Sequence, residues 1–354
     1  MLCLFWLIMQ ERVSTIMRFI GGKSLLLDNI TTVINENTSN DVEKVCDLFT
    51  GSSVVASHFK KLGYIVYAND LMYMSYVLSR GSIELNTPPS FSNLDIDNVF
   101  YYLNNITEPE DKSSYFIYNN YSPVDSCDRM YFQPKNAWKI DCIRQQIENW
   151  FKGSLISEPE YFYLLACLIS AVPYVANITG VYAAYLKHWD KRTYKDLIVE
   201  PLPIIPSTKL CKSFNLDAKD LASKESFDLV YIDTPYNQRQ YTPNYHILET
   251  IAKYDYPDIH GVTGMRDYNR SDYCNKSKVA DAFKDLFKAL SSRGTKYAVV
   301  SYNNESLLST DEMLNIFSLF GKIKLYEYPY RRYKSKIPND KSGLKEQIYF
   351  IDMR

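Results

Sequence analysis

The chain has 354 residues, 46% of them hydrophobic, which is enough for one α/β domain with a smaller companion. Its 40 basic residues almost balance 41 acidic ones, which excludes a uniformly basic binder of polyanions; any such contact must be a local basic face. Seven cysteines without a CxxC pair and four scattered histidines offer neither a disulfide framework nor metal-ligand spacing, and a reducing cytoplasm is the expected location.

Residues 1–16 open on an apolar run, Met1 to Met9, that has no basic flank, no small-residue cleavage site and too little length for a bilayer. They read as an N-terminal extension, and no membrane partner is expected. Next comes Arg18-Phe19-Ile20-Gly21-Gly22-Lys23-Ser24, where two glycines allow a tight turn and Lys23 is suited to a carboxylate or phosphate. A helix-like segment, Leu25 to Ile34, follows. The apolar strand Val45 to Leu48 then runs into the small-residue turn Thr50-Gly51-Ser52-Ser53, a helix over Val54 to Leu62 and a second strand, Tyr64 to Ala68. Gly51 permits close backbone approach, and Asp70 comes 19 residues later. That is near the spacing of about 20 at which an acid at the end of the second strand meets a ribose in nucleotide-binding βαβ units.

Residues 100–150 are rich in Tyr, Asn and Asp with little periodicity, whereas 161–189 are apolar and helix-like, interrupted by Pro173. Gly51 and Asp233 lie 182 residues apart, while three strand–helix steps need roughly 90. The surplus places an inserted, largely helical region at about 85–205, between a catalytic domain's two parts, 17–84 and 206–354.

The most specific signal is Asp233-Thr234-Pro235-Tyr236, directly after the apolar strand Leu229 to Ile232. Asp233 and the Thr234 carbonyl can each accept a hydrogen bond from an exocyclic amine, and Tyr236 offers a stacking face. Pro235 stiffens the turn. The set suits a flat, amine-bearing base, although an ordinary strand-to-turn junction reads the same way over four residues. Beyond it, Val279, Phe283, Leu286, Phe287 and Leu290 form one helical face, and Tyr297 to Ser301, Ile323 to Tyr328 and Ile348 to Ile351 read as closing strands.

Taken in order, these elements resemble the Dam-type adenine-specific DNA methyltransferases, over residues 17–354. Arg18 to Lys23 is similar to that family's opening motif, Asp47-x-Phe49-x-Gly51 to its methionine-side cofactor motif, Asp70 to its ribose acid, and Asp233 to Tyr236 to its catalytic tetrapeptide. Asp217 stands where the family often has an acid near the cofactor's adenine end. The resemblance implies a Rossmann-like S-adenosylmethionine-dependent methyltransferase sheet. Phe19, Gly21, Gly22, Lys23, Asp47, Phe49, Gly51, Asp70, Asp217 and Asp233 would hold S-adenosyl-L-methionine, and no metal is expected. It also implies methylation of adenine N6 on a flipped-out base of double-stranded DNA, with a cognate restriction endonuclease as functional partner; 85–205, where the family's motifs have no match, reads from its surplus length and composition as the target-recognition region or as a brace for the catalytic domain. Two positions depart from the pattern: Thr234 replaces a usual Pro, keeping the carbonyl, and Ser53 replaces a usual Gly, adding a Cβ beside the ligand.

Candidate DNA contacts are Arg239, Arg266 and the run Arg331-Arg332-Tyr333-Lys334-Ser335-Lys336 with Lys341 and Lys345, together with the stretch Lys187 to Lys195. Cytosine-N4 enzymes more often begin the tetrapeptide with Ser and protein glutamine methylases with Asn, so Asp233 favours adenine. A cytosine-N4 DNA methyltransferase and a catalytically idle DNA-binding module of this fold stay open as alternatives.

Overall fold

The computed structural model describes residues 22–39, 41–125, 127–329, 343 and 345–354. After α1 (Leu27–Asn37) the chain alternates β1 (Lys44–Asp47), α2 (Val54–Lys61), β2 (Ile65–Asn69) and α3 (Tyr73–Ser82). A helical stretch follows, with α4 (Val99–Asn104), α5 (Phe116–Tyr121), α6 (Pro134–Lys152) and α7 (Glu158–Ala171). The alternation then resumes with β3 (Lys212–Phe214), α8 (Ala218–Lys224), β4 (Leu229–Ile232) and α9 (Thr242–Lys253). A short hairpin, β5 (Ile259–His260) and β6 (Met265–Arg266), precedes α10 (Val279–Ser292), β7 (Tyr297–Asn303), α11 (Thr310–Phe317), β8 (Lys322–Pro329) and β9 (Lys345–Asp352).

Seven strands make one sheet in the order β3-β2-β1-β4-β7-β9-β8. All neighbours pair parallel except β9, which runs antiparallel to both β7 and β8. This is the Rossmann-like sheet implied by the sequence. The central strands β4 and β7 are buried along almost their whole length and mostly apolar, as strands covered on both faces are. One cover is α1 and α2, whose Ile30, Val33, Ile34 and Phe59 pack on Val45, Val66, Leu229 and Val299. The other is α8, α10 and α11, and the helical face read from the sequence, Val279 to Leu290, is buried there. The order reverses at β1, from which the chain steps outward through β2 and β3 before returning to β4. That crevice, at the carboxyl ends of β1 and β4, is where open α/β sheets bind ligands.

The helical stretch builds a separate apolar core that also takes in residues of α3 and α9. Helix α7 starts with a capping box, Ser157 with Glu160, and buries every side chain from Glu160 to Ala171. It stops at Ala171 because Pro173 has no N–H to continue the ladder. The helix-like reading of 161–189 therefore fails past that proline: a short 3-10 turn, Val172–Tyr174, follows, and then loop. Gly81 of α3 lets α7 approach closely, since a Cβ there would stand 2.5 Å from that of Ala166. Buried Glu249 of α9 ties that helix to α3 by accepting the free N–H groups of Tyr73 (3.1 Å) and Met74 (2.8 Å) at the start of α3. Among the described residues no helix is long and apolar enough to cross a membrane.

Candidate active site

Four strands end on the residues that matter. Asp47 is the last residue of β1, Asn69 and Asp70 close β2, Asp217 follows β3, and Asp233 follows β4. Parallel strands in register place all of them on one edge, around a cleft of about 1010 Å³ counted to its open mouth. Gly22, Lys23, Asp47, Phe49, Gly51, Asp70, Asp217, Asp233 and Pro235 line it, so most of the residues singled out in the sequence converge here. Phe19, Gly21, Arg331, Arg332 and Lys334 lie outside the described residues.

The turn after β1 is shaped to let a ligand close. Gly51 has φ +50°, and Ser53, at the N-terminus of α2, has φ +63°. The second is a left-handed position that glycine fills without strain, the physical reason a glycine would be the ordinary choice there. Asp70 braces this turn: its carboxylate accepts the Gly51 N–H and the Met72 N–H, both at 2.8 Å. Burial still lifts its pKa to about 6. Asp47 accepts the Ala56 N–H at 3.1 Å, while its Oδ1 is buried without a hydrogen-bond partner among the described residues. Burial and the neighbouring Asp233 push the Asp47 carboxyl up to about 8. Asp217 caps α8 by accepting the Lys219 N–H at 2.9 Å. Phe49 meets Tyr273 edge-to-face with centroids 5.1 Å apart, an apolar wall on the Asp217 side.

At the tetrapeptide, Asp233 Oδ1 lies 3.3 Å from Lys23 Nζ and accepts the Tyr236 hydroxyl at 2.5 Å. Burial raises the Asp233 pKa to about 7, with Lys23 lowering and Glu346 raising it. Thr234 is buried, and Leu307 N–H donates to the Tyr236 carbonyl at 3.1 Å, which fixes the end of the turn. The Tyr236 ring stands edge-on to Tyr302, centroids 5.9 Å apart, with the Lys23 ammonium 4.3 Å above its centroid.

The site thus pairs a nucleotide-type cleft with an acid–carbonyl–aromatic turn at one sheet edge. The family model for D12 class N6 adenine-specific DNA methyltransferases matches residues 19–316. The chain belongs to this family. Among its relatives, the type II methyltransferase M.FokI of Planomicrobium okeanokoites is 46% identical over 343 residues, 95% of this chain and 52% of that protein. The modification methylase StsI of Streptococcus sanguinis is 40% identical over 346 residues, 96% and 52% respectively. The type II methyltransferase M.NlaIII of Neisseria lactamica is 37% identical over 321 residues, covering 90% of this chain and 93% of that protein. The chain therefore spans about half the length of the first two and nearly all of the third.

Two residues of this D12-class site were not legible beforehand. Asn69, buried, donates through Nδ2 to the Leu48 and Leu216 carbonyls, each at 3.1 Å, and so joins two cleft walls. Glu346, buried at the start of β9, takes Lys23 Nζ at 2.6 Å. Nothing in a polar Lys-Glu-Gln flank ahead of an apolar strand marks it. The candidate DNA contacts fall differently. Arg239 is exposed on the loop after the tetrapeptide. Arg266 is 6% exposed and makes a two-pronged pair with Asp255 at 2.9 and 2.7 Å, so the hairpin spends its guanidinium internally and does not present it to a ligand. Lys345 pairs with Glu327 at 2.6 Å.

Proposed function

We propose that this chain transfers methyl groups to adenine N6 in duplex DNA, as a modification enzyme of a restriction–modification system. The observation that carries the reading is the meeting of two half-sites in one cleft: the Gly51–Asp70 turn on one side and, on the other, Asp233 and Pro235 of the tetrapeptide. The relatives' names, type II methyltransferase and modification methylase, support the same activity.

S-adenosyl-L-methionine fits what the cleft offers, and when bound it supplies a methyl group already activated on a sulfonium. Asp70 would meet the ribose hydroxyls, and the left-handed Gly51 turn would admit the methionine end. The unpartnered Asp47 Oδ1 suits an ammonium donor, while Phe49, Tyr273 and Asp217 suit the adenine end. Asp233 and the Thr234 carbonyl then act on the target base. With Lys23 and Tyr236 both on Asp233 Oδ1, Oδ2 is the acceptor for the adenine amine. Two acceptors favour a pyramidal nitrogen with its lone pair free, and they stabilise the positive charge that builds there. The base must leave the helix to reach this turn, at a cost of a few kcal/mol offset by contacts elsewhere.

Those contacts belong to the helical stretch, the proposed target-recognition region. Its loop after α7 is anchored beside the cleft: Tyr182 N–H donates to the Asn244 carbonyl at 2.8 Å in the first turn of α9, whose Thr242 lines the cleft. Buried Asn177 locks the loop, its Nδ2 donating to the Leu186 carbonyl at 2.9 Å and its Oδ1 accepting the Asp190 N–H at 3.0 Å. Lys187, Lys191 and Lys195 on the following stretch are exposed and, among the described residues, pair with no carboxylate. Arg192, by contrast, is tied to Asp190 at 3.2 Å. Open ammonium groups on this stretch are suited to phosphates.

The test is incubation with radiolabelled S-adenosylmethionine and mixed-sequence duplex DNA, digestion to nucleosides and identification of the labelled one. N6-methyladenine is the expected product. Labelled N4-methylcytosine would move the base, and no label with the methyl donor bound would refute the reading. Asp233→Ala is expected to lose turnover at least a hundredfold, of the order seen when a transition-state hydrogen-bond partner is removed, while still binding S-adenosylmethionine.

A further inference from the structure

Glu346 has no part in that account, yet it organises the charges around Asp233. Its Oε1 holds Lys23 Nζ at 2.6 Å, with the two side chains 3% and 5% exposed. The same ammonium lies farther from Asp233, at 3.3 Å, and over the Tyr236 ring. The Tyr236 hydroxyl stands 3.5 Å from Glu346 Oε1. A buried carboxylate, Glu346, and a partly exposed one, Asp233, therefore share one buried cation, and Glu346 has the closer hold. Without Glu346, a buried ammonium facing one carboxylate would close on it, because unpaired charge inside a protein costs several kcal/mol. The Asp233 oxygens would then serve Lys23.

We infer that Glu346 is a positioning residue: by holding the Lys23 ammonium it leaves Asp233 only loosely ion-paired, with Oδ2 able to accept a hydrogen bond from a donor in the cleft. Which donor that is rests on the function proposed above; the charge arrangement does not. Among the described residues, the other titratable groups facing Asp233 are Asp47 at the end of β1, Tyr231 on β4 and Tyr241 ahead of α9, and none of these is a cation. Lys23 is thus the cation that Glu346 must divert. A purely architectural Glu346, anchoring the segment before α1 to β9, would instead affect stability and leave the Asp233 environment as it is.

The experiment compares wild-type protein with Glu346→Gln, carrying aspartate labelled with carbon-13 at the side-chain carboxyl. The Asp233 titration is followed by NMR in the free protein, and methylation rates are measured across pH. Removing the Glu346 charge is expected to drop the Asp233 midpoint from about 7 by about one unit, the scale of shift a neighbouring charge produces. The acid limb of the rate profile should move down with it. In the same variant kcat at pH 8 should fall about tenfold, one pKa unit's worth of interaction, with KM for S-adenosylmethionine nearly unchanged. An unshifted midpoint in a folded Glu346→Gln protein overturns the inference, whatever its melting temperature. If that variant does not fold, Glu346→Asp decides. Its shorter carboxylate keeps the charge but loosens the grip on Lys23, so the midpoint must still fall, and an unmoved midpoint overturns the inference. A shifted midpoint in a protein that labels no DNA base would sink the proposed function and leave this arrangement standing.

Discussion

Asn69 joins segments far apart in the chain through three hydrogen bonds: two from its amide to the Leu48 and Leu216 carbonyls, and one accepted from the Leu216 N–H at 3.2 Å. Its backbone carbonyl also accepts the Thr50 N–H at 2.9 Å, so the β1 turn and the β3–α8 loop are both set from this one residue. Replacement by Ala strands two carbonyls and an N–H in a buried place, costing about 1–3 kcal/mol. Because both walls belong to the cofactor side of the cleft, Asn69→Ala is expected to weaken S-adenosylmethionine binding about tenfold, the equivalent of roughly 1.4 kcal/mol, with kcat at saturating donor largely kept. Asn69→Asp should be worse, since a carboxylate cannot donate to either carbonyl. Titration calorimetry reads the affinity, and wild-type affinity in Asn69→Ala would refute the role. The same logic explains why Asn69 and Glu346 escaped the sequence. Their partners stand 147 and 323 residues away, and no local pattern records such a meeting. Asp47, Gly51, Asp70 and the tetrapeptide were legible because each ends or follows an apolar strand, and parallel strands deliver their ends to one edge.

Elements show the same divide. The strands at 229–232, 297–303, 322–329 and 345–352 could be read because they carry four or more consecutive residues of strand character. Lys212–Phe214 could not: three partly exposed residues at a sheet edge give no period. Nor does any local signal place β9 antiparallel between β7 and β8. The helical stretch was recognised as surplus length and, over 161–189, as an apolar helix-like run; α6 was not, because it buries Asn136, Lys139, Asp141 and Arg144 among its apolar positions, which blurs the helical period. For the loop after α7 the structure permits a quantitative expectation. If Lys187, Lys191 and Lys195 face phosphates, each releases about one counterion. Changing all three to Ala should weaken DNA binding by a similar factor for every sequence, and should cut the slope of log K against log salt by about three. Affinity measured between 50 and 200 mM salt, on cognate and random duplexes, decides it. An unchanged slope would put the footprint elsewhere.

Across the whole molecule, buried carboxyls set how stability responds to pH. Asp47, Asp70 and Asp233 crowd one cleft, with pKa values raised to about 8, 6 and 7. Burial raises Asp141 in the helical layer to about 7, even though it accepts the Tyr254 hydroxyl and the Ile117 and Tyr118 N–H groups. Each holds its proton in the folded chain to a higher pH than in the unfolded one, where carboxyls titrate near pH 4. Between those limits the folded state binds more protons, so raising the pH costs stability. His246 works the other way. Buried beside the Tyr182 carbonyl, it titrates at about 4, so its charged form is excluded from the fold and stability rises with pH up to about 6.5, where the free imidazole is already neutral. The two trends oppose below that point. Above it the carboxyls act alone, and the melting temperature of the free protein should fall steadily from pH 6.5 to 8. Asp47→Asn removes the carboxyl with the highest value and should flatten that fall. Saturating S-adenosylmethionine should flatten it as well, because a cation among these carboxylates favours their ionised forms. A melting temperature that stays level or climbs over this range would mean that all four carboxyls, Asp141 included, are wet enough in the free protein to ionise.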